Sequence, residues 1–217
     1  GGDIEGPFKT TDGGASYTRM SNGLVENSLP NGIYASQDIE IDPQNPETVY
    51  LATWSGLYKS INGAATWTLV SPVAPFLDEP RENIATVAVS PFDRNLILTG
   101  IGNPYPAEGG ISMIQRSTDA GATWTDITPV SLIGSEVVIY QLLFDPNAIG
   151  VVYAATGEGI LKSLDDGLTW ALMNAGLPNG AGNTRPQVHE IIGATIDGNF
   201  QLFVALRTQG TASWNAG

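Results

Sequence analysis

Between Ile39 and Val70 the apolar residues come in short bursts: "IEI", "VYLAT", "LYKSI" and "TWTLV". Each run is rich in β-branched or aromatic residues and is bounded by Pro, Gly or Asn, the punctuation of tight turns. No segment sustains the three-to-four spacing of an amphipathic helix. The four runs, labelled A to D, therefore predict one four-stranded antiparallel sheet.

The pattern recurs. Aligned on an eight-residue box, the chain reads "TTDGGASY" at Thr10–Tyr17, "SINGAATW" at Ser60–Trp67, "STDAGATW" at Ser117–Trp124 and "SLDDGLTW" at Ser163–Trp170. A second block precedes the last three boxes: "DPQNPETVYLATWSG" from Asp42, "SPFDRNLILTG" from Ser90 and "DPNAIGVVYAATGEG" from Asp145. A degenerate copy runs from Ile196 to Gly210. Boxes 46 to 57 residues apart, each closing a four-stranded sheet, have the period of propeller blades rather than of helical solenoids. The predicted fold class is all-β, a β-propeller of four-stranded antiparallel blades. The chain reads as one domain or segment: a half-blade at 1–22, blades at about 36–70, 84–127 and 139–173, and a half-blade at 189–210.

Loop lengths divide the two ends of the blades. The box spans seven steps in every copy, so the C–D hairpin is constant. From the A–B proline to the glycine opening strand C the distances are 13, 19 and 13 residues, and "GNPYPAEG" is the insertion in the middle copy. The D–A connections also vary. In an up-and-down blade, B–C and D–A loops share one face, so that face is predicted to carry any binding site.

Composition narrows the partners. The 217 residues hold 22 acidic against 9 basic side chains, for a net charge of −13, which repels phosphate backbones and excludes nucleic acid as the expected partner. The chain has no cysteine and a single histidine, so neither a disulfide nor a thiolate or histidine-pair metal site is expected, and no cofactor is called for. No apolar run approaches the roughly 20 residues of a membrane-spanning helix.

In the box, the third-position carboxylate can accept backbone N–H groups of its own turn, and the hydroxyls at the first and seventh positions can do the same. Glycine at the fifth position can take φ > 0. The eighth-position aromatic anchors the hairpin, and its burial outweighs each turn hydrogen bond, at up to about 5 kcal/mol against about 1. Because a catalytic centre would occur once and the box occurs in every blade, Asp12, Asn62, Asp119, Asp165, Tyr17, Trp67, Trp124 and Trp170 are assigned structural roles. The pattern resembles the Asp-box, or bacterial neuraminidase repeat, of sialidase, xyloglucanase-type and sortilin-type propellers. Asn62 for aspartate, Ala64 for glycine and Tyr17 for tryptophan depart from it, and the Ser60 turn is expected to differ most in backbone shape. "GPFK" at Gly6 matches "GLYK" at Gly56, so the chain enters at strand C and leaves after strand B. Either the two ends share one blade of a four-bladed ring, or, as the resemblance favours, this is a segment of a longer propeller of about six to eight blades. Self-assembly or further blades would cover the open edges.

The variable face offers the candidate chemistry. Trp54, Tyr105 and Trp214 could stack on sugars, and Arg185, His189 and Glu190 lie at or just before an inner strand. Asp38, Glu136, Asp78, Glu79 and Glu82 are carboxylates from which an acid pair could be drawn. The arginines are scattered, against the cluster that the sialidase resemblance would require. Two readings follow. One is a non-catalytic binding or scaffold propeller module of an exported or cell-surface protein, with the periplasm an alternative, that contacts a glycan or protein through Trp54, Tyr105, Arg185, His189 and Glu190. The other is a segment of a glycoside hydrolase resembling the xyloglucan-active group.

Overall fold

The computed structural model describes residues 6–24, 36–53, 56–70, 84–101, 112–129, 132, 137–178 and 185–206, and these contain strands and turns but no helix. Three four-stranded antiparallel sheets follow one another: β3 (Ser36–Ile41), β4 (Val49–Thr53), β5 (Gly56–Ser60) and β6 (Thr68–Leu69); then β7 (Ile84–Val89), β8 (Ile97–Ile101), β9 (Met113–Ser117) and β10 (Thr125–Asp126); then β11 (Ile139–Phe144), β12 (Val152–Thr156), β13 (Gly159–Ser163) and β14 (Ala171–Leu172). Two-stranded sheets flank them, β1 (Phe8–Lys9) with β2 (Thr18–Arg19), and β15 (Val188–Ile196) with β16 (Asn199–Leu206). The two flanking pairs are separate sheets, not one shared blade. The chain is all-β, with its sheets strung as blades of a β-propeller.

Strands A to D become inner to outer positions. Inner strands β3, β7, β11 and β15 meet one another in sequence order. Strands β4 and β12 are buried along their whole length, whereas β6, β10 and β14 are two exposed residues each. Very short outer strands leave little unpaired edge for another chain to extend.

The core lies between sheets rather than within them. Tyr50, Ala52 and Leu57 of the first full sheet pack on Ile84, Val87 and Ile97 of the next. Ala88, Leu98 and Ile114 pack in turn on Leu142, Val152 and Leu161. Contact there is close: a Cβ on Gly100 would sit 2.6 Å from Ile139 Cγ2 and 2.8 Å from Thr86 Cγ2, so only glycine fits that seam.

All four boxes fold alike. In the third, Ser117 Oγ donates to Asp119 Oδ1 (2.8 Å) and accepts from Gly121 N (2.8 Å), while Asp119 accepts from Thr123 N (2.8 Å) and Thr123 Oγ1 (2.6 Å). These donors hold the Asp119 carboxyl well down, at about 2, through Thr123 first and Ser117 after it. The Ser60 turn does not depart in shape, contrary to expectation. Asn62 Oδ1 accepts from Thr66 N at 2.9 Å as the aspartates do, and its Nδ2 donates to Thr66 Oγ1 in place of the reversed bond. Ala64 tolerates φ of +73° because its N–H is held by Ser60 Oγ at 2.9 Å. The fourth box residue is left-handed as well: Gly13, Gly63, Ala120 and Asp166 all have φ between 57° and 70°.

The box aromatics do more than anchor their own hairpins. Trp67 Nε1 donates to Met20 O (2.8 Å) and Trp124 Nε1 to Val70 O (3.0 Å), each in the preceding sheet. Trp170 packs on the cluster of the sheet before it, with Nε1 buried and unpaired among the described residues. Tyr17, expected to be an anchor, is instead 64% exposed, since no described sheet precedes it.

Two further latches run the other way. The basic residue just before each of the first three boxes reaches the carbonyl of the fourth residue of the next box: Lys9 Nζ to Gly63 O (2.9 Å), Lys59 Nζ to Ala120 O (3.0 Å) and Arg116 Nε to Asp166 O (3.1 Å). At the inner strands, Asp38 Oδ2 accepts from Thr86 Oγ1 (2.8 Å) and Val87 N (3.1 Å), Thr86 Oγ1 from Leu142 N (3.2 Å), and Gln141 Oε1 from Ile191 N (2.7 Å). Inner strands β7, β11 and β15 thus each have a backbone N–H at their unpaired edge satisfied by a side chain of the sheet before them. Glu40 also faces β7, where it accepts from the Val89 backbone. Burial, with Asp38 nearby, pushes its carboxyl from 4.5 up to about 7.

Replacing Trp67, which is only 4% exposed, with alanine is expected to cost about 3–5 kcal/mol in urea unfolding followed by circular dichroism, and Tyr17→Ala no more than about 0.5 kcal/mol. Equal effects would contradict the role of the aromatic between sheets. Glu40 binds more protons folded than unfolded between its two pKa values, so its contribution is full below 4.5 and is lost as pH rises through about 7. The melting temperature of Glu40→Gln is expected to fall less than that of the unsubstituted chain between about pH 5 and pH 8. Parallel pH profiles would refute the assignment.

Candidate functional site

The inner strands share a distortion at the end where the B–C and D–A loops emerge. In each, the pairing with its neighbour slips by one residue: between Ser36 and Asp38, Ile84 and Thr86, Ile139 and Gln141, and Val188 and Glu190. The extra residues are Gln37, Ala85, Tyr140 and His189. A bulge lets a side chain leave the two-sided alternation of a strand. One such residue per sheet is thereby set at the same height around the inner rim.

Two of the four meet. The rings of Tyr140 and His189 lie 4.5 Å apart, centroid to centroid, tilted by 35°. Both backbones are held from either side. Ile139, before Tyr140, is fully buried, as is Val188, before His189, and Ile191 N is bound by Gln141 Oε1. The His189 side is exposed and Tyr140 is half-buried.

A charged pair stands at the same end. Arg185 Nη1 lies 2.9 Å from Glu158 Oε2, with the side chains 53% and 36% exposed. Arg185 precedes His189 by four residues, and Glu158 sits in the turn joining β12 and β13, two residues after Thr156, which pairs with Ile139, the residue before Tyr140. The turn is rigid. Thr156 Oγ1 accepts from Glu158 N (3.1 Å) and donates to Gly159 O (2.8 Å), and Asn174 Nδ2 donates to Glu158 O (3.0 Å). A Cβ on Gly159 would fall 2.0 Å from Asn174 Oδ1, at a φ of +116°, so a glycine is required where Asn174 closes over the turn.

The remaining candidates separate. Asp38 is not a rim acid but a strut to β7, as is Glu40, whose raised pKa comes from the seam between two sheets and not from a cleft. Glu190 occupies in β15 the position of Asp38 in β3 and is exposed. Trp54, Tyr105, Trp214, Asp78, Glu79, Glu82 and Glu136 lie outside the described residues. Tyr140 and Glu158 were missed by the sequence reading. The repeat alignment could have found Tyr140, because it occupies the same place in its inner strand as His189.

The opposite face carries a groove of about 410 Å³ lined by Asp42, Tyr50, Lys59, Arg94, Asn95 and Ala120 among others. Its charges are engaged: Arg94 pairs with buried Asp42 at 3.1 Å, and Lys59 binds Ala120 O. Burial lowers the Lys59 ammonium pKa and raises that of the Tyr50 phenol. This groove is a seam between sheets. Among the described residues, no three His, Asp, Glu or Cys side chains gather as metal ligands, and no helix is long and apolar enough to cross a membrane.

No family model matches the chain. A xyloglucanase of Hypocrea jecorina is 26% identical over 194 aligned residues, which take in 76% of this chain and 22% of that enzyme. An oligoxyloglucan-reducing end-specific xyloglucanase of Emericella nidulans is also 26% identical, over 69% of this chain and 18% of that enzyme. The crystal structure of an ancestral GH74 enzyme aligns with a TM-score of 0.63 at 21% sequence identity, covering 94% of this chain and 28% of that one. The chain spans about a fifth of the length of the curated relatives it matches. At this identity the structural likeness speaks for the fold, and the fold it shares is the propeller.

Proposed function

We propose that this chain is a segment of a xyloglucan-active glycoside hydrolase, contributing part of the propeller surface along which the polysaccharide lies. The observation that carries the reading is similarity to xyloglucanases over 76% of the chain, which favours this reading over the non-catalytic module. In this reading the box is the Asp-box of the resemblance, and the blades run at about 36–70, 84–127 and 139–173, with half-blades at 1–22 and 189–210. Further blades, not this chain alone, would complete the ring. The glycan contacts belong to the loop face, from Trp54, Tyr105, Arg185, His189 and Glu190. A polysaccharide too large to cross a membrane places such an enzyme outside the cell or at its surface.

The chemistry supports a supporting role for the described residues rather than the hydrolytic one. Glycoside hydrolysis needs two carboxyl groups facing each other across the scissile bond, roughly 5–10 Å apart. Asp38 and Glu40 are committed to β7, and Glu158 to Arg185. The remaining candidate acids, Glu190 at the rim and Asp78, Glu79, Glu82 and Glu136 outside the described residues, are the ones from which this chain could supply a member of the pair.

In native affinity electrophoresis, the chain is expected to be retarded in gels containing xyloglucan and to run unhindered in gels containing an unrelated neutral polysaccharide such as pullulan. Equal mobility in all gels, together with no reducing sugar released from xyloglucan, would overturn the proposal.

A further inference from the structure

Most polar clusters of the described residues are accounted for by the latches between sheets or by the boxes. The Tyr140–His189 ring pair and the Arg185–Glu158 ion pair serve neither. We propose that they form one pyranose-binding subsite, with the exposed face of His189, backed by Tyr140, as its floor and the ion pair as its polar wall. This rests on the reading of the chain as a glycan-contacting surface and names the place and the chemistry of one contact.

The argument is one of matched shapes. A β-linked glucosyl ring presents axial C–H groups on each face and hydroxyls around its equator. Its faces therefore suit aromatic surfaces, and its edge suits planar groups with paired donors or acceptors. At 4.5 Å between centroids and a tilt of 35° the half-buried tyrosine backs the exposed imidazole, and the outer face of His189 is the aromatic surface left to a sugar. Arg185 and Glu158 lock each other's orientation, yet their side chains remain 53% and 36% exposed. The guanidinium keeps N–H groups, and the carboxylate a second oxygen, that can be offered to neighbouring hydroxyls.

Preorganisation separates this place from an ordinary surface patch. Both rings sit on bulges directly after a fully buried residue, Ile139 or Val188, and the Glu158 turn is held by three hydrogen bonds that involve the Thr156 and Asn174 side chains. Little conformational freedom is left to lose when a sugar arrives. Gln37 and Ala85, at the equivalent places in the other two inner strands, offer no ring, so the subsite is confined to the seam between β11 and β15.

The test uses the single histidine of the sequence as its own reporter. The full chain is titrated with xyloglucan oligosaccharides and with cellotetraose while the imidazole Cε1–H resonance is followed by NMR and affinity by calorimetry. The expected result is a saturable shift of that resonance, with Arg185→Ala and His189→Ala each weakening binding by about fivefold or more at an unchanged melting temperature, while Tyr140→Phe binds as the unsubstituted chain does. Binding of the oligosaccharides with no imidazole shift and with full affinity in Arg185→Ala and His189→Ala would overturn the subsite and leave the proposed function standing. No binding of any oligosaccharide by the unsubstituted chain would overturn both.

Discussion

No sheet in this chain can bury a core by itself. Among the described residues each is four strands wide at most, and in all but the last the outermost strand is two exposed residues, so the apolar surface must be covered by the next sheet. The interaction on which the rest depends is therefore the seam between neighbours: interdigitated aliphatic side chains, a tryptophan reaching backward, and basic and acidic side chains reaching forward. Burial supplies most of the energy, because a tryptophan such as Trp67 removes far more apolar area from water than any single hydrogen bond returns. The hydrogen bonds supply register. They join a fixed atom of one sheet to a fixed atom of the next, which hydrophobic contact alone does not do.

This division of labour explains what could be read from the amino-acid sequence. The boxes were legible because a turn with two successive left-handed residues, Ala120 and Gly121 for example, demands particular residue types at particular offsets. Inner and central strands were legible because burial leaves dense β-branched runs. The latches were not, since Lys9, Lys59 and Arg116 look like solvated charges one position outside a motif. Nothing local says that each will find a carbonyl about fifty residues away. The backward reach of Trp67 and Trp124 was hidden for the same reason, and the aromatic was credited to its own hairpin. The Ser60 turn misled in the opposite sense, because Asn62 keeps the acceptor that matters and Ala64 is held in place by Ser60.

The candidate rim was partly legible. His189 and Arg185 stood out as rare residues beside an inner strand, whereas Tyr140 disappears into "VVIYQLLF" and reads as core. A bulge has no sequence mark of its own; it becomes visible only when four inner strands are compared and each proves to hold one residue too many. Glu158, between Gly157 and Gly159, carries no mark of its own in the sequence. Its significance comes from an arginine 27 positions later that the fold brings to 2.9 Å. Asp38 and Glu40 make the reverse case. They have the composition of an acid pair, and for Glu40 the elevated pKa of a proton donor, yet both are turned into the edge of β7.

The forward and backward fastenings join only adjacent sheets, and this has a consequence for how such a protein can change over evolutionary time. An alteration at one seam is felt by the two sheets that share it and is not transmitted around the array. The loops above a given seam can then be lengthened, shortened or rewritten while the remaining seams keep their spacing, which is how a scaffold of near-identical units comes to display unlike surfaces along a single rim.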